Sequence, residues 1–136
     1  MNRRLRAPAR GEDGTAVVEF VMISALVMGL LLAVLQVAVY VHVRNVVAAS
    51  AQEGARYAAN ADVDSGAGAA RTLDIVRRSL GASTADGLVC DSEEELDSTG
   101  LVLVVVQCTG AVPALFGALG ELLPINATGR SIKEGQ

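Results

Sequence analysis

The stretch FVMISALVMGLLLAVLQVAVYVHV, residues 20–43, decides the fold of the first part of this chain. It holds 24 residues without a Lys, Arg, Asp or Glu side chain. A helix of that length measures about 36 Å at about 1.5 Å per residue, which is enough to cross a bilayer core of about 30 Å. The alternative is a buried helix of a soluble protein, but the run exceeds the roughly 18 residues that suffice for a span. We therefore predict a membrane-spanning helix over about 18–43.

Basic residues before the apolar run predict its orientation. Four arginines lie within residues 1–14, whereas Arg44 is the one basic residue directly after the run. The positive-inside rule therefore predicts a basic cytoplasmic leader, residues 1–14, and an extracytoplasmic C-terminal part. After Val43 the chain holds seven basic and twelve acidic residues, a net charge of −5. That acidic balance argues against nucleic acid as a partner.

The helix is predicted to continue beyond the membrane, so that one long helix covers residues 15–59. Residues 42–60 contain no proline and are rich in alanine, the best helix former. Gly54 weakens this helix by about 1 kcal/mol relative to alanine, but it would let another backbone approach. Apolar and small residues recur at spacings of three and four and define one face: Tyr40, Val43, Val47, Ala51, Gly54 and Ala58.

Residues 60–136 are predicted to form a small extracytoplasmic α+β domain. A short amphipathic helix is expected over 69–81, where apolar residues are spaced three and four apart. A turn of helix is expected over 113–119, and a third strand over 122–132, broken by Pro124. The predicted fold class is therefore α+β: one long N-terminal transmembrane helix, then a short helix and a two- to three-stranded antiparallel sheet.

The stretch GLVCDSEEELDSTGLVLVVVQCTG, residues 87–110, predicts a β-hairpin with its turn at 97–100. Directly opposed residues of an antiparallel hairpin have a constant sum of residue numbers. Pairing Cys90 with Cys108 centres the turn on Thr99, so turn composition and cysteine positions give the same register. The alternative is a long loop over 92–100, which would separate the two cysteines.

The two cysteines are predicted to form a disulfide. Cys90 and Cys108 both lie in the extracytoplasmic part, where an even pair of cysteines is more often a disulfide than a metal site. With one distant histidine, His42, they make no recognisable zinc pattern. We predict no metal and no cofactor.

The sequence gives no case for an enzyme or for catalytic residues. It contains no GxSxG, HExxH or P-loop motif. The acidic run 93–95 with Asp97 could bind a cation loosely, but a solvated face is the better interpretation.

The heptapeptide GTAVVEF, residues 14–20, resembles the type IV pilin-like class, in which a prepilin peptidase cuts after a glycine that ends a basic leader. The motif AVVEF and the later EGARYAA, residues 53–59, are similar to the TadE-like pseudopilins of the tight-adherence (Flp) pilus. The resemblance implies cleavage between Gly14 and Thr15, which makes Glu19 the fifth residue of the mature chain. Many pilins of the wider class begin with Phe at the position of Thr15.

The resemblance further implies a role in assembly for Glu19 and Phe20. The Glu19 carboxylate of one subunit would meet the new Thr15 amine of a neighbour and set the register. The alternatives are an interfacial acid without a partner for Glu19 and an ordinary glycine before a helix for Gly14.

Small and polar side chains along the helix are expected to pack against helices of other subunits. These residues are Ser24, Ala25, Gly29, Ala33, Gln36 and Gly54.

The expected function is that of a minor pseudopilin, held in the cytoplasmic membrane before assembly. Its expected partners are the lipid bilayer, a prepilin peptidase, other pilin or pseudopilin subunits and the pilus assembly machinery. The alternative is an uncleaved single-pass anchor, with the outer domain acting as a sensor or accessory subunit.

Overall fold

The computed structural model describes residues 12–112 and 123–135, and the helix predicted over 113–119 lies outside them. The chain divides into two compact units, Met1–Leu35 and Gln36–Gln136. The predicted α+β class is confirmed. The elements in chain order are α1 (Glu12–Ala58), α2 (Ala67–Leu80), α3 (Ala82–Asp86), β1 (Leu88–Leu96), β2 (Val102–Val112) and β3 (Leu123–Ile132).

The first unit contains the beginning of α1. Apart from the half-buried Leu32, its described large apolar side chains are exposed on every side of the helix, with Leu26 74% and Leu30 67% accessible. A window of 18 residues in α1 has a mean hydropathy of 2.6, and none of it is buried. By length and composition α1 therefore contains a candidate membrane span.

The second unit buries one face of the rest of α1. Val47, Ala51 and Ala58 are fully buried and Val43 nearly so, whereas Glu53 lies exposed on the other side. This is the face that the spacing of apolar and small residues predicts, so the prediction is confirmed. The buried face packs against α2 and one side of the sheet, in a core that includes Val76, Val106, Cys108, Ile125 and Ala127.

The helix α2 begins at Ala67, two residues before the predicted start, and ends at Leu80. Gly81 follows with φ of +94°, a conformation that favours glycine, and its N–H bonds to the Arg77 carbonyl. The short helix α3 was not predicted, because its five residues are too few to show an apolar period.

The sheet has the order β1-β2-β3, with both pairs antiparallel. In the hairpin Leu88 pairs with Gly110 and Leu96 with Val102, a register centred on Thr99. The predicted hairpin is confirmed, and the alternative of a long loop over 92–100 is wrong. The three consecutive glutamates stay in the strand because their alternating side chains reach solvent on either side.

The third strand is confirmed, but the predicted break at Pro124 is wrong. Pro124 pairs with Ala111 as the second residue of β3. Since β3 borders the sheet, this position tolerates a residue that lacks an N–H donor.

The two outer edges of the sheet differ. At β3 the Gln52 side chain of α1 makes the pair of backbone hydrogen bonds that a neighbouring strand would make. Its Nε2 donates to the Arg130 carbonyl at 2.7 Å, and its Oε1 accepts from the Arg130 N–H at 3.1 Å. The other outer strand, β1, carries the exposed acidic side chains of Asp91, Glu93 and Glu95.

Candidate functional site

The predicted processing and assembly residues lie on the first turns of α1. A shallow surface groove there is lined by both residues of the expected cleavage site and by Glu19. The lining residues are Gly14, Thr15, Val18, Glu19, Met22 and Ile23. Since an α-helix has 3.6 residues per turn, their spacing brings them to one side of the helix.

The Glu19 carboxylate is exposed among apolar neighbours. Phe20 beside it is 72% accessible, and Val18 and Met22 are also exposed. Among the described residues of the chain, no hydrogen bond or ion pair reaches the Glu19 carboxylate. A carboxylate on an apolar surface needs water or an external partner, because leaving it unpaired in a medium of low polarity is unfavourable.

The bond between Gly14 and Thr15 lies close to the start of α1, which begins at Glu12. A Cβ atom added at Gly14 would meet nothing within 4 Å. The described fold therefore does not require glycine at position 14. The first residues of a helix also fray most easily, which favours access to this bond.

Several of the small residues share the side of the helix that carries the groove. Residues three or four apart follow one another along a helix, so Ala25, Gly29 and Ala33 continue the row of Val18 and Met22. All five are exposed, and a Cβ added at Gly29 would meet nothing within 4 Å.

The other predicted packing positions differ from this row in position or in exposure. Ser24 lies on the opposite side of the helix by the same count. Gln36 stands three residues after Ala33, but it is half-buried in the second unit. Gly54 is buried in the domain of its own chain, where α2 approaches it. A Cβ at Gly54 would lie 2.6 Å from the Gly68 carbonyl oxygen and would overlap the Thr72 hydroxyl.

The predicted disulfide is present between Cys90 and Cys108, with an S–S distance of 2.04 Å. The two residues are directly opposed in β1 and β2, as the register requires. Cys108 is fully buried in the core, so the bond ties the hairpin together on the side that faces the helices.

Sequence reasoning missed Lys133, which holds the end of α1. Its Nζ donates to the Ala58 carbonyl at 3.0 Å, to the Val63 carbonyl at 2.8 Å and to Ser65 Oγ at 3.1 Å. Glu94 lies 3.9 Å away. The sequence carries no signal for this contact, because the lysine is about 70 residues from the groups it binds.

The acidic side chains of the hairpin do not gather into a metal site. Within residues 12–112 and 123–135, no group of three or more His, Cys, Asp or Glu side chains is placed to hold a metal ion. The carboxylate of Asp97 instead accepts hydrogen bonds from the Ser98 N–H and the Thr99 hydroxyl, which lower its pKa. The acid therefore stabilises the turn.

Comparison with known proteins bears on the first third of the chain. The family model described as TadE-like protein matches residues 14–56. No curated protein and no solved structure gave a match. The TadE-like family comprises structural components associated with the pilus and is not an enzyme family. The resemblance to the TadE-like proteins is thus confirmed for residues 14–56, which begin at Gly14 and include Glu19 and most of α1.

Proposed function

We propose that this chain is a minor pseudopilin of a tight-adherence pilus and is cut between Gly14 and Thr15 by a prepilin peptidase. Before assembly the chain resides in the cytoplasmic membrane, with residues 1–14 inside the cell and the domain outside. The observation that carries the proposal is the exposed Glu19 carboxylate, four residues after Thr15 on an apolar stretch of helix that the described residues of its own chain leave uncovered.

Cleavage supplies the missing partner of Glu19. It creates a positively charged α-amino group at Thr15, on the same groove as the carboxylate. Within a single helix the two groups are one turn apart, whereas in a bundle each can meet its counterpart on a neighbouring subunit. Such a pair is strengthened by low dielectric and weakened by desolvation, so its main effect is on register: a misplaced subunit leaves a buried charge unpaired.

The row of small residues supports the same arrangement. Ala25, Gly29 and Ala33 let another helix come close on the side that carries the groove, because close packing in lipid relies on small side chains. Helix contacts along this row would carry one subunit's Glu19 to the level of its neighbour's amine.

The disulfide supports the orientation. Disulfides persist in oxidising compartments and are rare in the cytoplasm. The Cys90–Cys108 bond therefore fits a domain outside the cytoplasmic membrane, in agreement with the arginines of residues 1–14.

Intact mass tests the cleavage. The protein is extracted from membranes of a strain with its prepilin peptidase and of one without it. We expect a loss that equals residues 1–14, seen with the peptidase alone. A chain that stays unprocessed in both strains would leave Glu19 without an amine to meet, and the uncleaved membrane anchor would replace the pseudopilin.

Substitution of Glu19 tests the assembly role separately. Glu19→Ala should insert into the membrane normally but disappear from pili, with incorporation reduced about a hundredfold or more. This estimate follows because removing one partner of a buried pair costs about 3–5 kcal/mol. The measurement compares sheared pili with membranes by immunoblot. Glu53→Ala, an exposed acid of the same helix in the domain, is the control and should assemble normally. Normal piliation with Glu19→Ala refutes the role.

A further inference from the structure

We propose that the outer edge of β1 binds an extended, basic segment of another protein, which adds to the sheet as a further strand. The edge lies within the second unit, so this recognition depends neither on cleavage after Gly14 nor on assembly. The chemistry of the partner follows from two properties of the edge, its backbone groups and its carboxylates.

The register of the hairpin shows which backbone groups of β1 face away from β2. Directly opposed residues lie about 4.5 Å apart at Cα where they exchange no hydrogen bonds, and about 5.5 Å apart where they do. The Cα atoms of Cys90 and Cys108 are 4.1 Å apart, so this pair exchanges none. Since the two kinds of pair alternate, the N–H and C=O groups of Cys90, Ser92 and Glu94 point towards the outer edge. The N–H of Asp97, in the alternate series, bonds across the turn as this pattern requires.

The two outer edges of the sheet differ in how these outward groups are satisfied. At β3 the Gln52 side chain bonds to the Arg130 backbone, and the Tyr40 hydroxyl donates to the Pro124 carbonyl at 3.0 Å. At β1 no hydrogen bond from residues 12–112 or 123–135 reaches the outward N–H and C=O groups. The edge of β1 can therefore accept the backbone of a further strand.

On the side of the sheet that faces the helices, the side chains of this edge are bound by their own chain. The Ser92 hydroxyl donates to the Ser65 carbonyl, and the Ser65 hydroxyl donates to the Glu94 carboxylate. Lys133 Nζ lies 3.9 Å from the same carboxylate. The charge of Glu94 is thus compensated within the chain, and the charge that a partner meets comes from the other side of the strand.

The other side of β1 carries three carboxylates that no ion pair or hydrogen bond reaches from the described part of the chain. Alternate residues of a strand share one side, so Asp91, Glu93 and Glu95 form a row with a spacing of about 7 Å. On this face the described sheet contributes one basic side chain, Arg130. The register places Val105 between Glu93 and Arg130, so that arginine is two strands, or about 10 Å, away.

The arginines of α2 do not compensate this row. Arg71 and Arg78 pair with Asp74, and Arg77 pairs with Asp86 at 2.9 Å. The helices also pack on the opposite side of the sheet. The arginines of α1 within the second unit belong to that helical side as well: Arg44 and Arg56. A strand that approaches the edge of β1 therefore meets a net negative charge.

A segment with a basic residue at every second position fits this edge. Opposite charges on neighbouring strands attract, whereas a second copy of β1 would bring like charges together. Beside the edge lies a surface cavity of about 390 Å³, lined by Asp91, Ser92, Glu93, Val105 and Gln107. The stem of a lysine or arginine can lie in this cavity, with its cation between the carboxylates of Asp91 and Glu93.

Peptide binding to the isotope-labelled full chain in detergent micelles tests the proposal by nuclear magnetic resonance. The probe is a capped heptapeptide of alternating threonine and lysine. At a peptide concentration about ten times Kd, hydrogen exchange at the amides of Cys90, Ser92 and Glu94 should slow about tenfold, because bound peptide covers them. One control peptide has glutamate in place of lysine. Another keeps the lysines but carries N-methyl groups on alternate backbone amides, which removes the donors that pair with β1. Neither control should slow exchange.

Neutral variants test the row of carboxylates. The triple variant Asp91→Asn, Glu93→Gln and Glu95→Gln keeps the side-chain shapes and should bind the lysine peptide about tenfold more weakly, since each cross-strand charge pair contributes to affinity. The matched control removes three exposed carboxylates elsewhere in the domain: Glu53→Gln, Asp62→Asn and Glu134→Gln. It should bind the lysine peptide as the unaltered chain does.

Each other result overturns the proposal. Equal binding of the N-methylated peptide would mean that charge alone attracts the probe, and equal weakening in the two triple variants would mean that the row is not recognised. Slow exchange at the three amides without peptide would mean that the edge is already covered, by the chain itself or, if the protection rises with protein concentration, by a second copy. The control peptides use the unaltered chain, so they decide even if a variant does not fold.

Discussion

Gly29 and Gly54 lie in the same helix, but an added methyl group would meet different surroundings at the two positions. At Gly29 nothing lies within 4 Å, whereas at Gly54 the Gly68 carbonyl oxygen would lie 2.6 Å away. The same contrast holds for valine, since Val34 is 59% accessible and Val47 fully buried. The two halves of α1 therefore contain similar residues in different surroundings.

The difference shows that the distribution of polar side chains around a helix determines what can cover it. In the second half polar side chains occupy one side, so the chain's own sheet and α2 can cover the other. In the first half apolar side chains surround the helix, and such a helix requires lipid or other helices. Small residues in the second half are thus explained within the chain, and for those in the first half we propose contacts between chains.

The largest expected effect compares Gly54→Val with Gly29→Val. Both place a β-branched residue in α1, but the first also forces α2 away. We expect Gly54→Val to lower the free energy of unfolding of the domain by about 3 kcal/mol, the upper range for overpacking, because a backbone carbonyl must move. Gly29→Val should leave it unchanged. Urea unfolding of the full chain in detergent, followed by circular dichroism, measures both.

The contrast between the two halves of α1 would be refuted if both glycine variants lowered the free energy of unfolding of the domain equally. In that case the first half of α1 would also be covered by its own chain. If Gly29→Val leaves the domain stable but reduces incorporation into pili, the contrast becomes sharper.

A smaller effect is expected at Gln52, which joins the second half of α1 to the edge of β3. Gln52→Ala removes two hydrogen bonds to Arg130, each worth about 0.5–1.5 kcal/mol net. We expect a loss of about 1–2 kcal/mol in unfolding free energy and faster hydrogen exchange at the Arg130 amide. The neighbouring Glu53→Ala should change neither quantity, and a matching loss there would show that the effect is not specific to the two hydrogen bonds of Gln52.

The smallest effect is expected at Asp97, which lies outside both halves of α1 and serves as a baseline. Hydrogen bonds from Ser98 and Thr99 lower its pKa from the ordinary value of 3.8. A lowered pKa in the folded state means that Asp97 stabilises the fold above pH 3.8. That contribution is lost as the pH falls through the folded value. An NMR titration should show the lowered pKa in the intact chain. A titration at the ordinary value would contradict the turn geometry.

The sequence allowed prediction wherever a period or a pairing rule applied. The buried face of α1 follows from spacings of three and four, and the hairpin register from Cys90, Cys108 and the turn at 97–100. Pro124 led to the wrong prediction of a break in the third strand, because a proline breaks a central strand but not the start of an edge strand. Gln52 and Lys133 could not be found, since their partners are distant in sequence and depend on how the elements pack.

The candidate site was predictable for a different reason. A charged side chain in an apolar run conflicts with its surroundings, so Glu19 is conspicuous without any structure. What the sequence could not show is which small residues are already covered by their own chain. Gly54 and Gly29 are alike in sequence, and only the position of α2 separates them.

The unequal edges of the sheet bear on how copies behave when they are crowded. A bare strand edge can recruit a strand of another molecule and lead to aggregation. On the β3 edge Gln52 bonds to the backbone of Arg130, and at β1 the carboxylates of Asp91, Glu93 and Glu95 would come close to their own counterparts in another copy. Repulsion between like charges disfavours that pairing. In the fibre that we propose, the domains would therefore stay apart as separate folded bodies, and contacts between copies would be made by the helices.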